Sequence, residues 1–303
     1  MRVEVLLATH NGEKFITEFL ESLAEQKDVE IDLVVSDDNS SDRTIQIVNS
    51  FADKFHSLKI LTGPNKGAKN NFVHLIQNSN SEFSAFADQD DIWLQNHLKD
   101  SVNRLATHVG TPALVFSKVI EFSESAQNRE WPVVSSNPEL AMLLTENLAR
   151  GCTIVINSEL INLLKKSDFS EIYMHDWWAI LVAKTCGAVE FINTPGVKYR
   201  IHRENVVGSR KPFKVRMQLF CRSYFLNKEW IPRHQTFQLL AQYGGFMTNH
   251  DKSLVNTFAN LGVHNLKRRY SFLYRQNIVF RQSKFENHLL KLVLLLSPLV
   301  RSK

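Results

Sequence analysis

Cysteine is scarce in this chain. Cys152, Cys186 and Cys221 lie far apart and are odd in number, which argues against a disulfide framework or a zinc cluster and points to a reducing compartment. Long apolar runs are missing as well: no segment approaches the roughly 20 residues needed to cross a bilayer. The opening run Val3-Glu-Val-Leu-Leu-Ala8 is too short for a secretory signal and lacks a cleavage pattern, so a cytoplasmic or cytoplasm-facing location is expected. No G-x-G-x-x-G turn and no P-loop lysine follow that run, which removes the dinucleotide fingerprint and the ATPase motif. Nucleic acid is not expected as a partner, because no RRM-like aromatic motif, zinc motif or helix-turn-helix signature is present.

What is present is a globular composition, 44% hydrophobic over 303 residues, with a strongly divided charge. The net charge of +5 hides 17 Lys/Arg against three acids from Arg210 onward, and 19 Lys/Arg against 28 acids before it. Such a split marks two parts with different partners. Residues 1–209 read as an acidic catalytic body, and residues 210–303 as a basic helical region that seeks a surface.

The acidic part opens with strand–polar loop–helix units. Val3 to Ala8 is a buried strand, then Thr9-His-Asn-Gly-Glu13, then a helix with Phe15, Phe19, Leu20 and Leu23 at helical spacing. A second strand, Ile31 to Ser36, ends in Asp37-Asp38-Asn39-Ser40-Ser41-Asp42, where Ser40 or Ser41 is placed to cap the next helix. Capping leaves the paired Asp37 and Asp38 unexplained; carboxylates there can accept hydrogen bonds from a base or ribose. A third strand, Leu58 to Thr62, precedes Gly63-Pro-Asn-Lys-Gly67 and a further helix. A fourth, Phe83 to Ala87, runs into Asp88-Gln89-Asp90-Asp91. A parallel, right-handed α/β sheet is the simplest topology for these units. Carboxylates this close repel and lose hydration at a strand end, so they form either a clamp for a hard cation such as Mg²⁺ or Mn²⁺ with a diphosphate, or an acidic loop that caps a helix.

Thr9-His-Asn11, Asp37-Asp38-Asn39-Ser40, Asn65-Lys-Gly67 and Asp88-Gln-Asp-Asp91 together resemble an inverting family 2 glycosyltransferase with the GT-A fold, over roughly residues 3–208. Arg150-Gly-Cys-Thr153, Met174-His-Asp-Trp-Trp178, Tyr199-Arg-Ile-His202 and Asn205-Val-Val-Gly208 extend the match toward rhamnosyltransferase-like enzymes of bacterial surface polysaccharide synthesis. The resemblance implies that Thr9, Asn11, Asp37 and Asp38 hold the base and ribose of a nucleotide sugar. Asp88 would lie near the ribose or donor sugar, and Asp90 and Asp91 at the metal and diphosphate. His10 stands where the family often has Tyr, and an imidazole still stacks on a pyrimidine. dTDP-L-rhamnose is the first donor expectation, with UDP-hexoses and UDP-N-acetylhexosamines as alternatives; the acceptor is expected to be a lipid-linked glycan or oligosaccharide.

A second centre is His175-Asp176-Trp177-Trp178. Inverting transfer needs a base for the acceptor hydroxyl and stabilisation of the leaving diphosphate, with no covalent nucleophile. Asp176 is either that base, raised in pKa by partial desolvation, or a helix N-cap; Trp177 and Trp178 are either stacking faces for a sugar or core. Gly151 would let backbone approach a bound sugar. Arg200 and Arg203 offer cations near a diphosphate, and His202 is a candidate metal ligand through imidazole. Glu121 to Pro138 reads as irregular. The closing run Leu289 to Val300, broken by Lys291 and Pro298, suits either an interfacial segment on anionic lipid or a helix packed on the body.

Overall fold

The first apolar run forms a central strand with both faces covered, which is why Val3, Val5, Leu6 and Leu7 are all buried without alternation. A computed structural model describes residues 1–123, 126–130, 137–202 and 231–296. The chain divides into two units: Met1–Asn137, Ala149–Phe169 and Met174–Ile201 form the first, and Pro138–Leu148, Ser170–Tyr173 and His202–Lys303 the second. The boundary expected at residues 209/210 lies outside the described residues.

In chain order the first unit comprises β1 (Arg2–Thr9), α1 (Ile16–Ala24), β2 (Glu30–Asp37), α2 (Thr44–Ser50), β3 (Ser57–Thr62), α3 (Ala68–Asn78), β4 (Phe83–Asp88), β5 (Ile92–Trp93), α4 (His97–Leu105), β6 (Ala113–Ser123) and β7 (Ala126–Glu130). The short α5 (Leu140–Leu143) belongs to the second unit, and the first resumes with β8 (Ile154–Asn157), α6 (Ser158–Lys165), α7 (His175–Cys186) and β9 (Ala188–Arg200). The sheet order is β3-β2-β1-β4-β8-β6-β9-β5, with β7 on β6. The first four strands are parallel, as their loop–helix spacing predicts. β8 is antiparallel to both β4 and β6, so the sheet is mixed and mostly parallel. Phe19, Leu20 and Leu23 of α1 pack beneath it with Trp93, whose ring meets Phe19 edge-on at 5.7 Å.

Two segments differ from expectation. The stretch from Glu121 is not irregular throughout: β6 continues to Ser123, and β7 turns back on it with Ile120 opposite Glu130. Strand β9, whose apolar stretch Ala188 to Ile192 reads in the sequence as a strand running to Pro195, continues through that proline to Arg200. Its register against β6 shifts on both sides of Lys118, which faces Pro195, so the proline sits at an irregularity where no ladder donor is required. This extension carries Arg200 to the acidic turn.

The second unit contains α8 (Ile231–Tyr243), α9 (Asn249–Ala259), α10 (Leu266–Arg275) and α11 (Lys284–Leu296). The side chains of Thr248 and Asn265 cap α9 and α10 by accepting from Asp251 N and Arg268 N. In the closing apolar run, Leu290, Val293 and Leu294 are buried, so one face of the run packs on protein, while Leu292 and Leu296 are exposed; Ser297 onward lies outside the described residues. Among the described residues no helix is long and apolar enough to cross a membrane.

His97 is a buried member of the first unit's core, edge-on to Trp93 at 4.8 Å, and Gly196 leaves it room: a Cβ there would lie 2.4 Å from its Nδ1. Burial pushes its pKa down from 6.5 to about 3. Folded protein therefore binds fewer protons at His97 than unfolded chain between those values, and stability present above pH 6.5 is lost as pH falls toward 3. The difference in melting temperature between wild type and His97→Gln should accordingly change steadily across this window. A difference independent of pH would mean that His97 titrates normally in the folded state.

Candidate active site

The parallel register sets Thr9 beside Asp37, Ala8 beside Asp88, and Asp37 beside Thr62. The polar loops therefore emerge side by side at the carboxyl edge of the sheet, where open α/β sheets hold ligands. Thr9 Oγ1 donates to Asp37 Oδ1 at 2.8 Å, and Ser40 gives its hydroxyl to the same oxygen at 2.6 Å and its amide to Oδ2 at 2.8 Å. Asp38 is buried, and its two oxygens accept the amides of Asn65 (2.5 Å) and Gly67 (2.8 Å). Both acids thus brace the loops around the cleft. Ser40 and Ser41 do not cap α2. They bond to the Asn11 region instead, Asn11 N to Ser40 Oγ and Ser41 N to Asn11 Oδ1, each at 2.8 Å, while Asp42 accepts the Thr44 amide. His10 is held by Asp38 O at 2.9 Å and by a reciprocal backbone pair with the Gln89 amide. Gly12 admits that amide, since a Cβ there would come within 2.2 Å of Gln89 Oε1. Gln89 thereby locks the first loop to the acidic turn.

In that turn, Asp88, Asp91 and Cys152 bring ligand-type atoms within 4.8 Å of one another. Asp88 is half-buried; loss of hydration raises its pKa well above the carboxylate range, and Asp90, Asp91 and Asp176 add repulsion that Arg150 partly offsets. Asp91 is fully buried and pushed up to about 7, first by burial and then by Asp90. Its Oδ1 accepts Arg200 N at 2.9 Å, while Oδ2 has no hydrogen-bond partner. The Cys152 thiol is raised by burial and by both acids, so it stays protonated. Arg150 donates to Glu121 at 3.2 Å and lies 4.2 Å over the Tyr199 ring. Arg150 and Cys152 are the cation and neutral thiol of this cluster; the sequence marks them only as part of the Arg150-Gly-Cys-Thr153 motif, with no role of their own.

Asp176 lies on the first turn of α7 and is not its N-cap, which is Met174. It is half-buried, and its charge is among those that raise Asp88. Gly151 brings the two centres together: a Cβ there would lie 3.3 Å from His175 Nε2 and 3.6 Å from Asp176 Cβ. His175 is buried, stacked on Phe72 at 3.7 Å, and burial lowers its pKa to about 3, so it adds no charge beside Asp176. Trp178 does not offer a stacking face. It is fully buried and donates its indole N–H to Ser167 Oγ at 3.0 Å, because the second turn of α7 points into the core; Trp177 is 9% exposed.

Arg200 departs from its expected role at a diphosphate. Its guanidinium is 9% exposed, donates to Asp90 O at 2.8 Å and Glu18 Oε2 at 2.7 Å, and lies over the rings of Phe15 and Phe122. It ties β9 to the acidic turn and α1. His202 falls in the second unit and outside the Asp88–Asp91–Cys152 group; Arg203 and Asn205 to Gly208 lie outside the described residues. The oxygen donors of this turn, including the unpartnered Asp91 Oδ2, fit a hard divalent cation, whereas the protonated thiol does not act as a ligand to one. Arg200→Lys keeps the charge but loses the planar fork that reaches Asp90 and Glu18 together. Stability should fall by about 2 kcal/mol, read as a lower urea midpoint at constant slope. An unmoved midpoint would show that the fork does not hold the turn.

Comparison with known proteins agrees with this geometry. The model of the family "Glycosyl transferase family 2" matches residues 4–157. The dTDP-rhamnosyl transferase RfbG of Shigella flexneri is 33% identical over 223 residues, 69% of this chain and 76% of RfbG. The UDP-Glc:alpha-D-GlcNAc-diphosphoundecaprenol beta-1,3-glucosyltransferase WfgD of Escherichia coli is 26% identical over 222 residues, 69% of this chain and 80% of WfgD. In fold, the chain resembles the crystal structure of Staphylococcus aureus TarS 1-349 in complex with UDP-GlcNAc, at TM-score 0.59 and 21% identity, covering 91% of this chain and 74% of that one. The mixed sheet, the acidic turn closing β4 and these matches carry one conclusion: the chain belongs to glycosyl transferase family 2 and has the GT-A fold.

Proposed function

We propose that this glycosyltransferase moves a sugar from a nucleotide-sugar donor, dTDP-L-rhamnose before others, to a lipid-linked glycan, with inversion at the anomeric carbon. The observation that carries the reading is the packing of Gly151, one residue before Cys152 of the Asp88–Asp91 cluster, against the Asp176 turn, where a Cβ on Gly151 would lie 3.6 Å from Asp176 Cβ; on this reading a base and an acidic diphosphate-type turn share one site. Thr9, Asn11, Asp37 and Asp38 shape the nucleotide side, with His10 beside them. Asp88 and Asp90, both half-buried, are assigned to the open side of the turn, and Asp91, fully buried on Arg200 N, to its inner side. A Mg²⁺ or Mn²⁺ ion held by this turn would neutralise charge building on the departing diphosphate.

Asp176 takes the proton from the acceptor hydroxyl as that oxygen attacks the anomeric carbon and the bond to the diphosphate breaks. Gly151 packs against the helix turn that carries His175 and Asp176, and His175 there is neutral. The name of RfbG supports dTDP-rhamnose as donor, and that of WfgD supports a diphosphoundecaprenol-linked acceptor. UDP-glucose and UDP-N-acetylglucosamine are the second reading, favoured by the names of WfgD and of the TarS complex.

A thermal-shift panel of nucleotide sugars with and without Mn²⁺ should show the largest rise for dTDP-rhamnose, and only with the metal. A larger rise for UDP-glucose would reassign the donor. Asp176→Asn should lower kcat by about 10²–10⁴-fold while the donor-induced shift persists. Full turnover in that variant would remove Asp176 as the base.

A further inference from the structure

Helices α10 and α11 of the second unit run antiparallel. Tyr274 meets His288 edge-on at 6.3 Å, Lys291 Nζ lies 5.7 Å from the Tyr274 ring, and Arg269 Nη1 reaches Leu295 O at 3.5 Å. These pairings bring the start of α10 beside the last turn of α11. The inner faces are apolar and buried, through Phe272 and Leu273 on one helix and Leu290, Val293 and Leu294 on the other. The outer faces are apolar as well: Leu266 is 61% exposed, Tyr270 49%, Leu292 41% and Leu296 59%. Leu266 and Tyr270 are four apart, as are Leu292 and Leu296, so each pair forms one row along its helix and the rows lie side by side. Tyr270 continues its row by stacking on Tyr274 at 5.1 Å. Water-facing helices do not ordinarily present four large apolar side chains in adjoining rows.

Charge indicates what covers them. Lys267 and Arg268 are exposed next to Leu266, and Lys284 is exposed at the start of α11. Residues 231–296 hold nine Lys/Arg against two acids, Asp251 and Glu286. A surplus of positive charge beside exposed leucines and a tyrosine matches a bilayer with anionic headgroups. We propose that the outer rows of α10 and α11 (Leu266, Tyr270, Leu292 and Leu296, with Lys267 beside them) are the surface on which the enzyme lies against an anionic lipid bilayer. Helices of this length lie along such a surface and do not cross it. The inference deepens the lipid-linked acceptor reading by naming the surface that brings the chain to its acceptor, and it is independent of the donor.

Flotation of the full chain with vesicles tests it. Wild type should float with phosphatidylglycerol-containing vesicles at low salt, float poorly with pure phosphatidylcholine, and release as salt rises. The double variant Leu266→Asp/Leu296→Asp should lose roughly ten-fold or more in vesicle affinity. Its melting temperature and its thermal shift with a nucleoside diphosphate and Mn²⁺ should match wild type, since both sites are exposed. Absence of wild-type flotation, or equal flotation of the variant, overturns the proposal. So does a variant that turns a dimer into a monomer with flotation unchanged, which would make this face a contact between copies. If flotation depends on the face while no nucleotide sugar shifts the melting temperature, the transfer reading falls and this one stands.

Discussion

Carboxylates packed at a strand end repel one another, and the turn after β4 concentrates them where hydration is poor. Much of the first unit is arranged around holding that turn in place. Asp91 is anchored by the Arg200 amide, the Asp90 carbonyl by the Arg200 guanidinium, and the cluster as a whole is balanced by Arg150. This requirement explains the long, irregular β9: a strand that ended near Ile192 could not deliver an amide and a guanidinium to the same turn. It also explains why Arg200 is buried between Phe15 and Phe122, where its plane packs on apolar rings while Nε and Nη2 bond to Asp90 O and Glu18.

Function follows from how this charge is shared across the cleft. Asp176 sits close enough to raise Asp88, so the two acids compete for protons until a cation or a substrate intervenes. His175, next to Asp176, is neutral because it is buried against Phe72, and Cys152 of the acidic cluster keeps its proton.

The loops and their order were legible in the residues, because strand ends carry polar side chains that neither sheet nor core explains. Asp37, Asp38 and the Asp88–Asp91 run stood out in this way, as did Gly151 before Cys152. Roles were harder to read. Asp37 and Asp38 are spent largely on bracing neighbouring loops, a use that depends on amides of Ser40, Asn65 and Gly67 arriving from other turns. Trp178 resembled a stacking face beside Asp176 but points inward, since the two stand two positions, about 200°, apart on the helix. The closing leucines suited either a lipid-facing run or a packed helix; Leu290 and Leu294 are core, and the exposed Leu292 and Leu296 gain significance only beside Leu266 and Tyr270 of a different helix.

By itself, the order of short apolar runs and polar turns determined an α/β sheet with its acids at one edge, because strand length and helix spacing are local properties of the chain. The division between an acidic part and a basic part was equally local, being a matter of composition. Tertiary structure alone decided which acids face the cleft and which are anchored, that Arg200 is a brace, and that Arg150 and Cys152 join the cluster. These outcomes depend on hydrogen bonds and burial between residues more than 100 positions apart, as in the Asp91–Arg200 pair, and no local pattern encodes such contacts.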